Sequence, residues 1–149
     1  MLVLWDVDYT LVSADGLGTR LYEVVFREMF GNIRPLAALK LRRAGLGEHL
    51  DLDAGAYGDA HEVRAELVAV ARRAASRVFG ADFPGSFTVL VGDTPLDVEA
   101  ALATGARAVA VATGSYSAAE LAAAGAEVIL PDLTDTAQVR AAVTGVFWP

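Results

Sequence analysis

The strongest constraint on this chain is a pair of short apolar runs. One begins at Leu2 and continues to Val7 around a single acid, and the other covers Phe87 to Val91. A strand with one wet face alternates apolar and polar residues, whereas a run this continuous belongs to a strand covered on both faces, as in a parallel sheet. Parallel neighbours need long crossovers, and the sequence supplies helical patterns between its strand-like runs. The fold expected is α/β: a three-layer α/β/α sandwich around a mostly parallel, Rossmann-like sheet.

The remaining elements follow from local signals. Leu17, Leu21, Val24, Val25 and Met29 lie at helical spacing, but Val24-Val25-Phe26 fits a strand equally well. Asn32-Ile33-Arg34-Pro35 reads as a helix start, with the helix running to about Ala44 and stopped by Gly45. Leu50 to Tyr57 reads as a short strand and its exit loop. Asp59-Ala60-His61-Glu62 resembles a capping box, followed by an apolar stripe of Val63, Leu67, Val70, Ala74 and Val78. Thr94-Pro95-Leu96-Asp97 opens a helix that Gly105 ends. Arg107 to Ala112 is a strand, Ser117 to Glu120 opens a helix, Glu127 to Leu130 is the last strand and residues 134–143 the last helix.

Composition narrows the class. The chain has 149 residues, 54% of them hydrophobic, which suits one domain with a proper core rather than disorder. A net charge of -7 without a basic stripe argues against nucleic-acid binding. There is no Cys, so neither disulfides nor thiolate metal sites are available. No run of about 18 apolar residues could span a bilayer, and the N-terminus lacks the basic start of a signal peptide, so a cytoplasmic protein is expected.

Two acidic clusters stand at the ends of strand-like runs: Asp6-Val7-Asp8-Tyr9-Thr10 and Gly92-Asp93-Thr94-Pro95-Leu96-Asp97. Open α/β sheets bind ligands outside the carboxyl ends of their strands. Four carboxylates meeting there would repel one another without a cation among them, which suits Mg2+ and a phosphate ester. Asp6 and Asp8 project to the same side of an extended backbone. Asp6, nearer the sheet, is the better nucleophile, and Asp8, beyond the strand end, is the better acid–base group. Asp97 in the first turn of a helix is explained more readily by capping than by an outer-shell role at a metal, although it could serve there. Asp93 has no capping role and is the clearer ligand for a hard, oxygen-seeking cation.

Together the clusters resemble the haloacid dehalogenase superfamily, in particular its phosphatase branch. The first motif of that family, D-x-D-x-T, is matched by Asp6, Asp8 and Thr10, and the fourth, G-D-x-x-x-D, by Gly92, Asp93 and Asp97. The resemblance implies that Asp6 attacks phosphorus to form an aspartyl-phosphate. Asp8 would protonate the leaving oxygen and then deprotonate the hydrolytic water. Mg2+ would be held by Asp6, the backbone carbonyl of Asp8, and Asp93, with Asp97 behind. Thr10 and Asn32 are further candidates for contacting phosphate. The third motif is a cation, usually Lys; here Arg64 stands in the expected region and is either that cation or a solvated surface residue. Lys40, within a helix, reads as solvated. His61 reads as a surface or capping residue, and Trp5 and Trp148 as packing residues.

The pattern breaks at the second motif, a Ser or Thr whose hydroxyl binds the transferring phosphoryl group. Met29-Phe30 occupies its expected place, and neither side chain can donate that hydrogen bond. A helical cap and one core strand also look cut out between the first helix and Gly31. Three outcomes are open: Val24 to Phe30 forms the strand, the Leu50 strand moves inward, or residues are missing between Phe30 and Gly31. The expectation is one core domain over 1–149 without a cap. It would act as a Mg2+-dependent phosphate monoester hydrolase of reduced activity on a phosphorylated small molecule or macromolecule. A non-catalytic binding or regulatory module is the alternative, and a phosphoacceptor receiver domain is a remoter one.

Overall fold

The computed structural model describes residues 1–11, 33–61 and 63–145. Strands β1 (Leu2–Trp5), β2 (Thr88–Gly92), β3 (Arg107–Val111) and β4 (Val128–Leu130) form one sheet in that order, and every pair is parallel. Helices α1 (Arg34–Arg43), α2 (Arg64–Phe79), α3 (Pro95–Ala103), α4 (Ala118–Ala123) and α5 (Thr136–Thr144) accompany it. None is long and apolar enough to cross a membrane.

The unbroken apolar runs are explained by cover on both faces. Leu90, Ala108 and Ala110 pack with Val68 of α2, Val98 and Ala101 of α3 and Leu121 of α4. The alternate residues Val89, Val91, Val109 and Val111 pack with Leu130 and with Ala142 and Val143 of α5. Full burial of one such Val stabilises the fold by roughly 1.5–3 kcal/mol, so a single polar replacement in β2 would be severe. Trp5 is half-buried against the α5 side, a packing role as its sequence context suggested.

Local chemistry fixes the helix ends. Thr94 and Asp97 form a reciprocal capping box at α3, with Pro95 in the first turn, and Ser117 and Glu120 form another at α4. Gly80 and Gly105 follow α2 and α3 with φ of 63° and 67°, a left-handed conformation open to glycine at little cost. Replacing Ser117 by Ala, away from the acidic clusters, is expected to cost about 1 kcal/mol. Urea unfolding reads that shift, and an unchanged midpoint would mean that the box contributes nothing to this short helix.

Three expectations are corrected. No strand forms at Leu50 to Tyr57: Leu52–Ala54 is one turn of 3-10 helix, and Asp51 Oδ1 accepts from the backbone N–H groups of Asp53 and Ala54 at 2.9 and 3.3 Å. Asx capping competes with strand pairing, and here it wins. The inward-moving Leu50 strand is thereby ruled out. Second, α2 starts at Arg64 with Val63 as its N-cap and no side-chain cap bond, rather than at Asp59. The His61 ring accepts from Val63 N at 3.0 Å in its stead. Third, Phe87 belongs to a 3-10 turn (Gly85–Phe87) before β2, and its ring is exposed. The alternative readings of Val24 to Phe30, the junction of Phe30 with Gly31, the Met29-Phe30 position, Asn32, Glu62 and Trp148 all lie outside the described residues.

Candidate functional site

The parallel register brings the carboxyl ends of β1 and β2 level, with Trp5 opposite Val91. The ladder continues one residue further, since Asp6 N donates to Val91 O at 2.8 Å. Asp6 is thus fixed at the rim by the same hydrogen bonding that builds the sheet. Beyond it the chain turns sharply, with Leu11 N donating to Val7 O and Tyr9 left-handed at φ 56°. Such a conformation costs a non-glycine residue of order 1 kcal/mol and persists only where its surroundings enforce it. Thr113 Oγ1 holds it by donating to Tyr9 O, which ties the loop after β3 to the loop after β1.

Asp93 leaves β2 at the same rim and is 3% exposed. Thr10 Oγ1 donates to its Oδ1 at 3.2 Å. The Thr10 hydroxyl, expected on phosphate, therefore braces a carboxylate. Asp93 Oδ2 lies 1.8 Å from where a Cβ on Gly114 would stand, and the Asp97 carboxyl carbon lies 2.4 Å from where one on Gly92 would. Both glycines leave room for an acid. Replacing Gly114 by Ala must push Asp93 aside, and overpacking of this kind typically costs 1–3 kcal/mol. Melting temperature and metal affinity should both fall in Gly114→Ala; retention of both would mean that the loop moves freely.

Asp97 does two jobs. Its Oδ2 accepts from Thr94 N at 3.1 Å and Thr94 Oγ1 at 2.7 Å, completing the cap, while its Oδ1 is ion-paired to Arg64 Nη1. The two readings of Asp97, cap or site residue, are compatible. Arg64, at the start of α2, also approaches Asp6 Oδ1 at 3.8 Å. It is turned into the acidic cluster rather than out to solvent.

One oxygen from each of Asp6, Asp93 and Asp97 lies within 4.8 Å of the others. Crowding has electrostatic consequences. Burial, and next the neighbouring Asp97 charge, push Asp6 up to about 8, with Asp93 and Asp8 adding to the rise and Arg64 opposing it. Asp93 is raised by burial and by Asp97, against the Thr10 bond. Burial disfavours the Arg64 charge, but Asp97 and Asp6 more than compensate and hold the guanidinium protonated. One Arg is thus too little positive charge for three crowded acids, two of them fully buried. An all-oxygen donor set with a deficit of positive charge fits a hard divalent cation.

Asp8 is not in that triad. Its two carboxylate oxygens take Lys40 Nζ at 2.6 and 2.8 Å, and the side chains are 22% and 12% exposed respectively. The expectation that Lys40 is solvated is corrected: α1 buries Ala37 and Leu41, and Lys40 flanks that face. Its spacing from those two apolar residues was the available signal. Beneath the acids a cavity of about 850 Å³ runs along β1, lined among the described residues by Leu4, Asp6, Leu41, Arg64, Val68 and Asp97, with others.

The family described as HAD-hydrolase-like matches residues 64–136, which hold α2 to β4 and the Asp93–Asp97 cluster. Among solved structures, the chain is similar to "Crystal structure of a predicted phosphatase from Clostridium acetobutylicum", with 21% identity and a TM-score of 0.56 over 72% of this chain and 47% of that one. It also matches "Putative beta-phosphoglucomutase from Bacteroides vulgatus", with 20% identity and a TM-score of 0.47 over 57% of this chain and 32% of that one. The chain therefore spans less than half the length of either structure. None of the curated proteins matches. Residues 64–136, just under half of the chain, are therefore similar to the HAD-hydrolase-like family, and the four-stranded parallel sheet agrees with an α/β core of that kind.

Proposed function

We propose that this protein is a Mg2+-dependent phosphate monoester hydrolase working through an aspartyl-phosphate on Asp6, from an open site without a cap domain. The observation that carries the proposal is the convergence of Asp6, Asp93 and Asp97 at the rim of β1 and β2. Mg2+ would be held by Asp6 and Asp93, with the Asp8 backbone carbonyl completing the protein ligands and Asp97 in the outer shell. Bound there, it would supply the positive charge that lets an anionic nucleophile meet an anionic substrate.

The chain's own residues then act in two steps. In the first, an Asp6 oxygen bonds to phosphorus, the phosphorus–oxygen bond to the leaving group breaks, and Asp8 gives its proton to the departing oxygen. In the second, water attacks the phosphorus, its proton passes to Asp8, and the electron pair of the breaking bond returns to Asp6. Arg64 stands at the start of α2, where its charge adds to free backbone N–H groups in attracting the phosphoryl oxygens. Its contacts with Asp6 and Asp97 support a phosphate-facing role over a solvated one.

The sequence offers no hydroxyl at the Met29-Phe30 position. Loss of one donor to the transition state typically lowers the rate about 10²–10³-fold, so we infer a slow enzyme. The substrate class is a phosphorylated small molecule or macromolecule, and the net charge of -7 disfavours nucleic acid. Phosphate release from an aryl phosphate, with and without Mg2+, tests the reading. Calorimetric Mg2+ binding without any turnover at high protein concentration would replace it with a binding or regulatory module.

A further inference from the structure

We propose that Lys40 is a positioning residue for Asp8, and that it serves the second half of the reaction, hydrolysis of the phosphorylated Asp6. The inference rests on the hydrolase reading above. Its observation is separate: the Lys40 ammonium spans both Asp8 oxygens, at 2.6 and 2.8 Å, from a helix that is remote in sequence.

The geometry decides the role. The side chain that contacts Asp8 is largely buried, and α1 is anchored by Ala37 and Leu41, which are fully or almost fully buried on either side of it. A Lys anchored this way holds the carboxylate in one orientation instead of letting it sweep the turn after β1. Arg64 is paired with Asp97 and stands beside Asp6, whereas Lys40 is directed at the proposed acid–base group. Contacts to both oxygens fix the plane of the carboxylate, and so the direction from which a water can approach it. A carboxylate offers roughly four acceptor sites, so it can hold Lys40 and receive a proton from that water together. The bond made is from water oxygen to phosphorus, the bond broken joins phosphorus to Asp6, and the proton ends on Asp8.

The two half-reactions can be read apart. For an aryl phosphate the leaving oxygen needs little protonation, so kcat/KM reports formation of the phosphorylated enzyme, while kcat also contains its hydrolysis. In Lys40→Met, kcat should fall by about tenfold or more, as expected for a misaligned base. The kcat/KM for the aryl phosphate should stay within about twofold, so KM falls alongside kcat. Acid-quenched samples should hold more covalent phosphate than the wild type. Lys40→Arg, which keeps a cationic fork, should restore most of kcat. Should Lys40→Met fail to fold, Lys40→Gln is read in the same way.

A parallel fall of kcat and kcat/KM would overturn the inference, because it would mean structural damage or a grip on substrate phosphate. An unchanged kcat, or less trapped phosphate, would overturn it too. These outcomes require a wild type that turns over. A wild type without turnover would instead overturn the hydrolase reading, and the role of Lys40 with it.

Discussion

Asp6→Asn is expected to remove phosphate release almost completely while making the metal-free protein more stable. The loss should reach at least about 10⁴-fold, the scale on which enzymes lose activity with their nucleophile. The gain in stability follows from linkage. In the folded protein Asp6 titrates at about 8 instead of 3.8. A raised acid contributes its full share of stability below the unfolded value and loses it as pH climbs through the folded one. Metal-free wild type should therefore lose stability from about pH 4 to pH 8 through this group, and the Asn variant should not. Urea unfolding at pH 5 and pH 8 in the presence of a chelator measures the difference, which should amount to a few kcal/mol at pH 8. Equal pH slopes in the two proteins would show that Asp6 is not electrostatically crowded. Full activity in Asp6→Asn would end the nucleophile assignment.

Asp93→Asn should abolish tight Mg2+ binding and leave the fold in place. Asp93 is buried, braced by Thr10 and given room by Gly114, and among the described residues no capping bond competes for its oxygens. Loss of one charged ligand from a site of two or three should weaken the ion about 100-fold, on the scale of 1.4 kcal/mol per tenfold. The wild-type affinity should itself depend on pH. Below about 8 Asp6 carries a proton that the ion must displace, so apparent affinity should rise about tenfold per unit between pH 6 and pH 7.5 and flatten above 8. Calorimetry in two buffers of different ionisation enthalpy counts the released proton. A pH-independent affinity with no proton release would place the ion elsewhere.

The acids illustrate how unevenly a sequence discloses a site. Asp6, Asp93 and Asp97 were legible because each is fixed by something local: a strand end, a glycine before it, or a capping box after it. Asp8 was legible as a site residue, but its partner was not. The spacing of Lys40 from Ala37 and Leu41 signals that it flanks a buried face, but which acid it reaches depends on how α1 is placed, and nothing near residue 40 encodes that. The false strand at Leu50 to Tyr57 has the opposite origin: its apolar residues suggested a strand, while Asp51 was already placed to cap a turn. Gly114 gave no signal, because its need for a missing Cβ is created by Asp93, a residue on another loop.

Among the described residues, what the sequence determined by itself was the four strands, the five helices and their order, though not the turn at Leu52–Ala54. Apolar runs, caps and terminating glycines act over a few residues, and burial on two faces leaves a mark that one strand can carry. Tertiary structure alone decided the charge pairing: Arg64 between Asp6 and Asp97, Lys40 astride Asp8, and Asp93 beside Gly114. The reason is physical. Electrostatic partners are chosen by distance and burial in the packed molecule, and those quantities do not exist until the layers of the sandwich have closed on the sheet.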